Sequence, residues 1–281
     1  MKHILLPTDF SDNSWNAIEY AIHFYEETNC HFYLLHVERP IDLSITPSIY
    51  GVSADFLNTT YVGNFKAQLK DLLNRISKQF PKNTHHKFFS IADSGSFIDT
   101  IRRQVNERNI EMIIMGTKGA SGLKKLLLGS NAGDVITKVK CTTLIVPENA
   151  KFTPVQEIAF PTDYSLSYEI EHLQPIAGIL ERYHAALRIL HISKKGETLS
   201  ANQLSNKDFL EEYFVQQSLS FHHLTNSKIE EAIQCFVESM KIDVIAMVAK
   251  NLNYSQQILF HSKIKDISYH TDIPFLVMHD K

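Results

Sequence analysis

The sequence contains an internal repeat, which restricts the possible folds more than any other feature. The segment 4–11, ILLPTDFS, recurs as 158–165, IAFPTDYS, at an offset of 154 residues. Further pairs follow at offsets of 155 and then 132 residues: 35–37 with 190–192, Met115 with Met247, Ser130 with Ser262, and Leu144 with Leu276. A repeat of this kind predicts a tandem duplication, in which the second copy has lost about twenty residues between its second and fourth strands.

Within the first copy, short apolar runs alternate with amphipathic stretches. The pattern predicts strands at 3–6, 30–37, 86–91, 110–115 and 143–146, and helices at 13–28, 65–80, 97–108 and 130–138. Such alternation implies a parallel sheet built from right-handed crossovers. We therefore expect an α/β fold with two tandem doubly wound, Rossmann-like domains, at 1–148 and 157–281. The segment 39–60 is rich in Pro, Ser, Thr and Asn and is predicted to be a loop insertion, with a short helical turn around 54–57.

Glycines are concentrated in one stretch of the first copy, between the predicted fourth strand and the following helix. Five of the ten glycines lie between Gly116 and Gly133. Glycine is required where the backbone has φ > 0 or approaches another group too closely for a Cβ. The stretch therefore has the composition of a site rather than of an average loop.

A glycine loop that leads into a helix can bind an anion. The first turn of a helix has N–H groups without intrahelical partners and a partial positive charge, so a helix that begins near Ser130 can hold phosphate oxygens. Lys118, Lys124 and Lys125 add positive charge to the same loop. The alternative is a surface turn with a serine cap and solvated lysines, and composition alone leaves both open. The loop contains neither G-x-x-x-x-G-K-[ST] nor G-x-G-x-x-G, so a P-loop or a dinucleotide fingerprint is excluded.

The glycine spacing resembles a known nucleotide loop. The pattern G-x2-G-x9-G-S, formed by Gly116, Gly119, Gly129 and Ser130, is similar to the G-x2-G-x9-G-[ST] loop that marks ATP-binding members of the universal stress protein family. Three further segments agree in the same order: Pro-x-Asp-x-Ser at 7–11, Leu-His-Val at 35–37, and the strand 141–146. The resemblance covers essentially the whole chain, with the intact loop in the first copy only.

The resemblance implies an adenine nucleotide alpha hydrolase-like fold and a binding site for ATP, with Mg²⁺. It implies that the Val37 backbone meets the adenine edge, that Asp9 lies near the ribose, and that the loop glycines and Ser130 hold the phosphates. The full set of expected nucleotide-binding residues is Pro7, Thr8, Asp9, Val37, Met115, Gly116, Lys118, Gly119, Gly129, Ser130 and Asn131. An ordinary turn role remains the alternative for Asp9.

The second copy lacks the glycines of this loop. At the offset of 132, Val248, Asn251 and His261 replace Gly116, Gly119 and Gly129, and 249–262 contains no glycine. Side chains would fill the space that phosphates need, so we expect no triphosphate site there. Asp163 and Ser262 are retained, which leaves a small anion or an adenosine-like ligand open.

Catalysis has little support in the sequence. His36 and His191 lie at matching strand ends, where a histidine more often bonds nearby backbone than reacts. Asp134 could help to hold a metal, but a solvated helix residue is the simpler interpretation. Beyond Asp9, the sequence has no carboxylate convincingly placed for phosphoryl transfer. At most, we expect weak ATP hydrolysis.

Charge and hydropathy exclude other classes. The formal net charge is −3, without a block of like charges, so extended nucleic-acid binding is not expected. No apolar run approaches the length of a membrane span or of a signal peptide, so we expect a cytoplasmic protein without a membrane partner.

The function expected from the resemblance is that of an ATP-binding stress or signalling regulator with an unknown protein partner. The alternatives are a nucleotide-independent interaction module, with 39–60 as its contact surface, and a slow ATPase. Single-domain relatives pair through their last strands, so 143–146 and 274–278 should pair within this chain and form an intramolecular pseudo-dimer. A further homodimer stays open.

Overall fold

The computed structural model describes residues 1–38, 54–117, 130–226, 228–249 and 272–279, with the backbone alone at 54–64 and 230. Strands and helices alternate in the first half: β1 Lys2–Pro7, α1 Asp12–Phe24, β2 Cys30–Glu38, α2 Ala54–Gln79, β3 His86–Ser94, α3 Phe97–Glu107, β4 Met112–Gly116, α4 Ser130–Lys138 and β5 Thr143–Val146. The second half repeats this order: β6 Glu157–Pro161, α5 Ile170–Tyr183, β7 Ala186–Ser193, α6 Ala201–Tyr213, β8 Ser218–Thr225, α7 Ile229–Met240, β9 Val244–Val248 and β10 Phe275–Met278.

All ten strands join in one sheet, with the order β3-β2-β1-β4-β5-β10-β9-β6-β7-β8. Each half has the same internal order, and its neighbouring strands are parallel. The halves meet at β5 and β10, which pair antiparallel with Leu144 opposite Leu276. The expected α/β class and the expected pairing of the two last strands are both confirmed.

Apolar side chains fill both faces of the sheet. The first core cluster contains Ile4, Phe24 and Phe214, and the second contains Leu5, Met115 and Ile233. Each cluster includes residues of both halves, because successive side chains of a strand point to opposite faces and the sheet is continuous. The fold therefore has two cores, and both extend across the junction of the halves.

Side chains also bind the two halves together on the face of the first cluster. The Tyr183 hydroxyl and the Arg182 guanidinium both donate to the carbonyl oxygen of Phe24, at the end of α1. The Phe152 ring, from the connection between the halves, contacts the rings of Tyr20 and Tyr183. These contacts fix α5 against α1.

Serine side chains cap the first turns of two helices. The Ser11 side chain accepts a hydrogen bond from the Ser14 N–H and caps α1, and Ser96 caps α3 through the Asp99 N–H. A side-chain oxygen at this position satisfies an amide that the helix leaves without a partner.

The predicted loop at 39–60 is partly wrong. Helix α2 begins at Ala54, so 54–60 is helical beyond the short turn expected at 54–57. Adding residues to an existing helix needs no new nucleation, so residues of modest propensity can continue it. The remainder, 39–53, lies outside the described residues.

The structure also locates much of the length difference between the copies. Helix α2 has 26 residues whereas α6 has 13. In addition, 39–53 separates β2 from α2, whereas only 194–200 separates β7 from α6. In the described part of the chain, no helix is long and apolar enough to cross a membrane.

Candidate functional site

The candidate site lies where the strand order of the first half reverses. From β1 the chain continues to β2 and β3 on one side, and then crosses to β4 and β5 on the other side. In parallel sheets, ligands bind outside the carboxyl ends of the strands at such a point. Pro7 ends β1, and Met115 and Gly116 end β4, the neighbouring strand. Val37 lies near the end of β2, on the other side of β1. The structure thus brings together these four predicted site residues.

Thr8 and Asp9 form a tight turn between β1 and α1. The Phe10 N–H donates to Thr8 Oγ1 at 3.0 Å, and Phe10 has the left-handed φ of 64°. Asp9 Oδ1 accepts from the N–H of Ser11 at 3.1 Å and from its hydroxyl at 2.6 Å. The turn role proposed as the alternative for Asp9 is therefore present. The same bonds also hold the carboxylate at the edge of the crevice.

Gly116 lies against a side chain of α1. An ideal Cβ at Gly116 would lie 2.7 Å from Oδ1 of Asn13 and 2.8 Å from its Cγ. Asn13 is itself buried. The expected need for close approach at Gly116 is confirmed, and the approaching group is the Asn13 amide. Asn13 was missed by the sequence reasoning, because a single polar residue in the first turn of a helix has no distinctive pattern.

Helix α4 begins at Ser130, directly after the glycine loop. The N–H groups of Ser130, Asn131 and Ala132 therefore have no acceptors within the helix. The glycine loop itself, with Lys118, Gly119 and Gly129 of the predicted site, lies outside the described residues. Asp134 forms an ion pair with Lys138 at 2.7 Å on the exposed side of α4. This supports the interpretation of Asp134 as a solvated helix residue.

His36 has a structural environment. Its Nδ1 donates to the carbonyl oxygen of Thr8 at 2.9 Å, and its ring packs against those of Phe10 and Phe65, with centroid distances of 4.6 and 4.5 Å. His191 makes the matching bond to Thr162 at 3.0 Å. Both histidines thus tie a strand end to the adjacent turn, as the non-catalytic interpretation predicts. Phe65 was missed, because its place on α2 becomes meaningful only after the helix docks.

The second half keeps the turn and changes the strand end. Asp163 Oδ1 accepts from the N–H and hydroxyl of Ser165, and Tyr164 has the left-handed φ of 56°. At the end of β9, however, the buried Val248 stands where β4 has Gly116. Asn251, His261 and Ser262 lie outside the described residues.

Metal binding by protein groups alone finds no support in the described ranges. Within them, no three His, Cys, Asp or Glu side chains are grouped to hold a metal ion.

Comparison with known proteins identifies the family. The sequence profile of the Universal stress protein family matches residues 1–147, slightly more than half of the chain. The chain belongs to the universal stress protein family. Two curated relatives of this universal stress protein are YxiE from Bacillus subtilis (strain 168) and MJ0577 from Methanocaldococcus jannaschii. YxiE is 30% identical over 146 residues, which are 51% of this chain and 97% of YxiE. MJ0577 is 32% identical over 155 residues, which are 52% of this chain and 94% of MJ0577.

A solved structure extends the similarity to the whole fold. A universal stress protein from Archaeoglobus fulgidus DSM 4304 has a TM-score of 0.70 with this universal stress protein, over 98% of this chain and 97% of that chain. The two sequences are only 19% identical, so this likeness concerns the fold alone.

Proposed function

We propose that the first half of this protein binds ATP, together with Mg²⁺, and that the nucleotide controls its activity as a stress or signalling regulator. One observation carries the proposal. The carboxyl ends of β1 and β4 meet at the reversal of strand order, and a glycine loop connects β4 to the start of α4. This arrangement combines a crevice for a nucleoside with helix amides that have no acceptor within the helix and can bind phosphates.

The residues around the crevice suit the parts of ATP. Val37 and Asp9 would hold the adenosine, as the family resemblance implies. Ser130 and Asn131 offer the first-turn amides of α4, and Lys118 would add a cation from the loop. Mg²⁺ generally binds through phosphate oxygens with one or two carboxylates, so a cage built from protein ligands alone is not required.

The second half is assigned a different role in this proposal. We assign one universal stress protein domain to residues 1–148 and another to 157–281, with the triphosphate site in the first alone. The sequence supports this assignment, because 249–262 contains no glycine, whereas the first half has Gly119 and Gly129 in the matching loop. The protein should therefore bind one ATP per chain.

Isothermal titration of the metal-stripped protein with ATP, with and without added Mg²⁺, tests the proposal. We expect micromolar binding with one site per chain. Gly129→Val should abolish binding, because the new side chain fills the phosphate loop. Gly178→Val is the matched control, since an ideal Cβ at Gly178 in α5 meets no atom within 4 Å. It should leave ATP binding unchanged.

Other results would contradict the proposal. No heat at millimolar ATP would favour the nucleotide-independent interaction module, and equal binding by both valine variants would place the nucleotide elsewhere. ATP turnover faster than about one per second would favour an enzyme instead, because such rates lie within the usual enzyme range.

A further inference from the structure

Three ionisable side chains form a row across the amino ends of β1, β2 and β3. His3, His31 and Lys87 are each the second residue of their strand, and the strand registers place His31 directly opposite the other two. Paired residues of neighbouring parallel strands point to the same face, and such strands are about 4.8 Å apart. We call these three residues the basic row. It lies at the other end of the strands from the candidate nucleotide site.

The middle member of the basic row has a nitrogen without a partner. The ring centroid of His31 lies 5.2 Å from that of His3, and the Phe89 ring contacts His31 edge to face at 5.2 Å. His31 Nε2 is buried, and no group in the described part of the chain bonds to it. Both ring nitrogens of an imidazolium are donors, so acid would leave an N–H at this atom without an acceptor.

His3 is oriented by one hydrogen bond. Its Nδ1 donates to the carbonyl oxygen of Arg108 at 2.8 Å, so Nε2 is the atom to which acid adds a proton. The resulting charge would be in contact with His31. The two imidazoles therefore oppose each other's protonation.

The other charges around the row are mainly positive. Lys87 lies opposite His31 on β3, and the guanidinium of Arg108, at the end of α3, lies 5.1 Å from the centroid of the Tyr33 ring on β2. Burial lowers the pKa of His31 below its usual 6.5, and the charges of His3, Lys87 and the Met1 amino group lower it further. A proton on His31 is therefore opposed from both neighbouring strands.

The carboxylate beside His3 already has partners. Glu111 precedes β4, and its Oε2 forms an ion pair with Lys2 at 2.5 Å. Its Oε1 accepts from the N–H of His3 at 3.3 Å. Both oxygens of Glu111 are thus bonded to β1, and neither is bonded to an imidazole of the row.

The second half differs at all three positions of the row. Glu157 matches His3 at the offset of 154, and the strand registers place Ala186 and then Ser218 beside it, at the positions of His31 and Lys87. Glu157 forms an ion pair with Arg188 at 2.6 Å. The basic row therefore belongs to the first half alone.

We propose that the basic row is an acid-sensitive device that releases the amino end of β3 from β2. In the described part of the chain, β3 ends the sheet and pairs with β2 alone. Protonation of the imidazoles places like charges directly opposite one another, and separation of β3 from β2 removes Lys87 from His31 and exposes both to water. The device does not depend on the nucleotide binding proposed for the first half.

Amide hydrogen exchange of residues 86–94 in the full chain, followed by mass spectrometry and corrected for the intrinsic rate, tests the proposal. At about pH 5.5, one unit below its ordinary pKa, a histidine that binds its proton only in the open state raises the open fraction by up to about tenfold. Between about pH 7.5 and pH 5.5, the protection of β3 should therefore fall about three- to tenfold more in the wild type than in His31→Gln. His86, on the other face of β3, contributes alike to both proteins, so the difference reports on the row.

Lys87→Gln tests the fixed charge of the row. Without this ammonium, His31 is protonated with less repulsion, so β3 should lose less protection in acid than it does in the wild type. Lys82→Gln, at an exposed lysine before β3, is the matched control and should behave as the wild type does.

His3→Glu and His3→Gln form a second matched pair. Both remove the imidazole and its bond to Arg108, and they differ in charge. The carboxylate gives a protonated His31 an acceptor, so His3→Glu should lose less protection in acid than His3→Gln. Far-UV circular dichroism at about pH 7.5 checks that each variant is folded. The proposal is wrong if the wild type and His31→Gln lose equal protection, if Lys87→Gln and Lys82→Gln respond alike, or if the two His3 variants do.

Discussion

Gly116→Ala should destabilise the first half through one identified clash. The new Cβ would lie 2.7 to 3.0 Å from three side-chain atoms of Asn13, closer than ordinary van der Waals contact at 3.4–4 Å. Asn13 is only 7% exposed, so its amide has little space into which to move. Overpacking of this kind costs about 1–3 kcal/mol. Gly116 is absent from the residues with positive φ, so backbone strain should add little.

Urea unfolding measures this cost, since the midpoint and slope give the free energy of unfolding. Trp15 is the single tryptophan and lies in α1, next to the clash, so its fluorescence reports on this half. Far-UV circular dichroism follows the whole chain. Gly178→Ala is the control: its Cβ meets no atom within 4 Å, so it should stabilise helix α5 by about 0.5–1 kcal/mol.

A double-mutant cycle shows whether the clash is the cause. Asn13→Ala removes the amide, so the double variant should be more stable than the sum of the single effects by at least about 1 kcal/mol. If the two effects add, or if Gly116→Ala changes the free energy of unfolding by less than about 0.5 kcal/mol, then the close approach of Asn13 does not explain this glycine.

Two further predictions concern the junction of the halves and the response to pH. Tyr183→Phe removes the hydroxyl that donates to the Phe24 carbonyl oxygen, and should lower the free energy of unfolding by about 1 kcal/mol in urea titration; an unchanged midpoint would contradict this. Burial lowers the pKa of His86 below its usual 6.5, and its bond to the Tyr25 carbonyl oxygen opposes the shift only partly. The imidazole therefore binds a proton more readily in the unfolded chain than in the folded one. The contribution of neutral His86 to the free energy of unfolding should be lost as pH falls below 6.5. NMR titration should find the pKa of His86 in the folded protein below 6.5.

Local pattern was sufficient to predict most elements of the first half. The bounds of α4 and β5 agree with the prediction, because a glycine loop, a serine and an apolar run delimit them clearly. The start of α2 was predicted too late, because the polar residues at 54–60 resemble a loop in composition. Packing and helix cooperativity override composition at such positions.

The candidate site was predictable only in part. The turn at Thr8 and Asp9 and the start of α4 at Ser130 follow from short motifs whose chemistry is local. Asn13 and Phe65 were not predictable, since each acquires its role from a contact with a residue far away in the chain. Periodicity indicates which face of a helix is buried, but not which partner it meets.

The sequence by itself determined the duplication, the α/β class and the loss of the loop glycines from the second copy, because repeats and glycine spacing can be recognised from the order of residues alone. The pairing of 143–146 with 274–278 was expected from the family resemblance. Only the tertiary structure decided that each of the two cores extends across both halves, and that Asn13 packs against Gly116. Both features depend on which surfaces meet across the fold, and no local pattern specifies that packing.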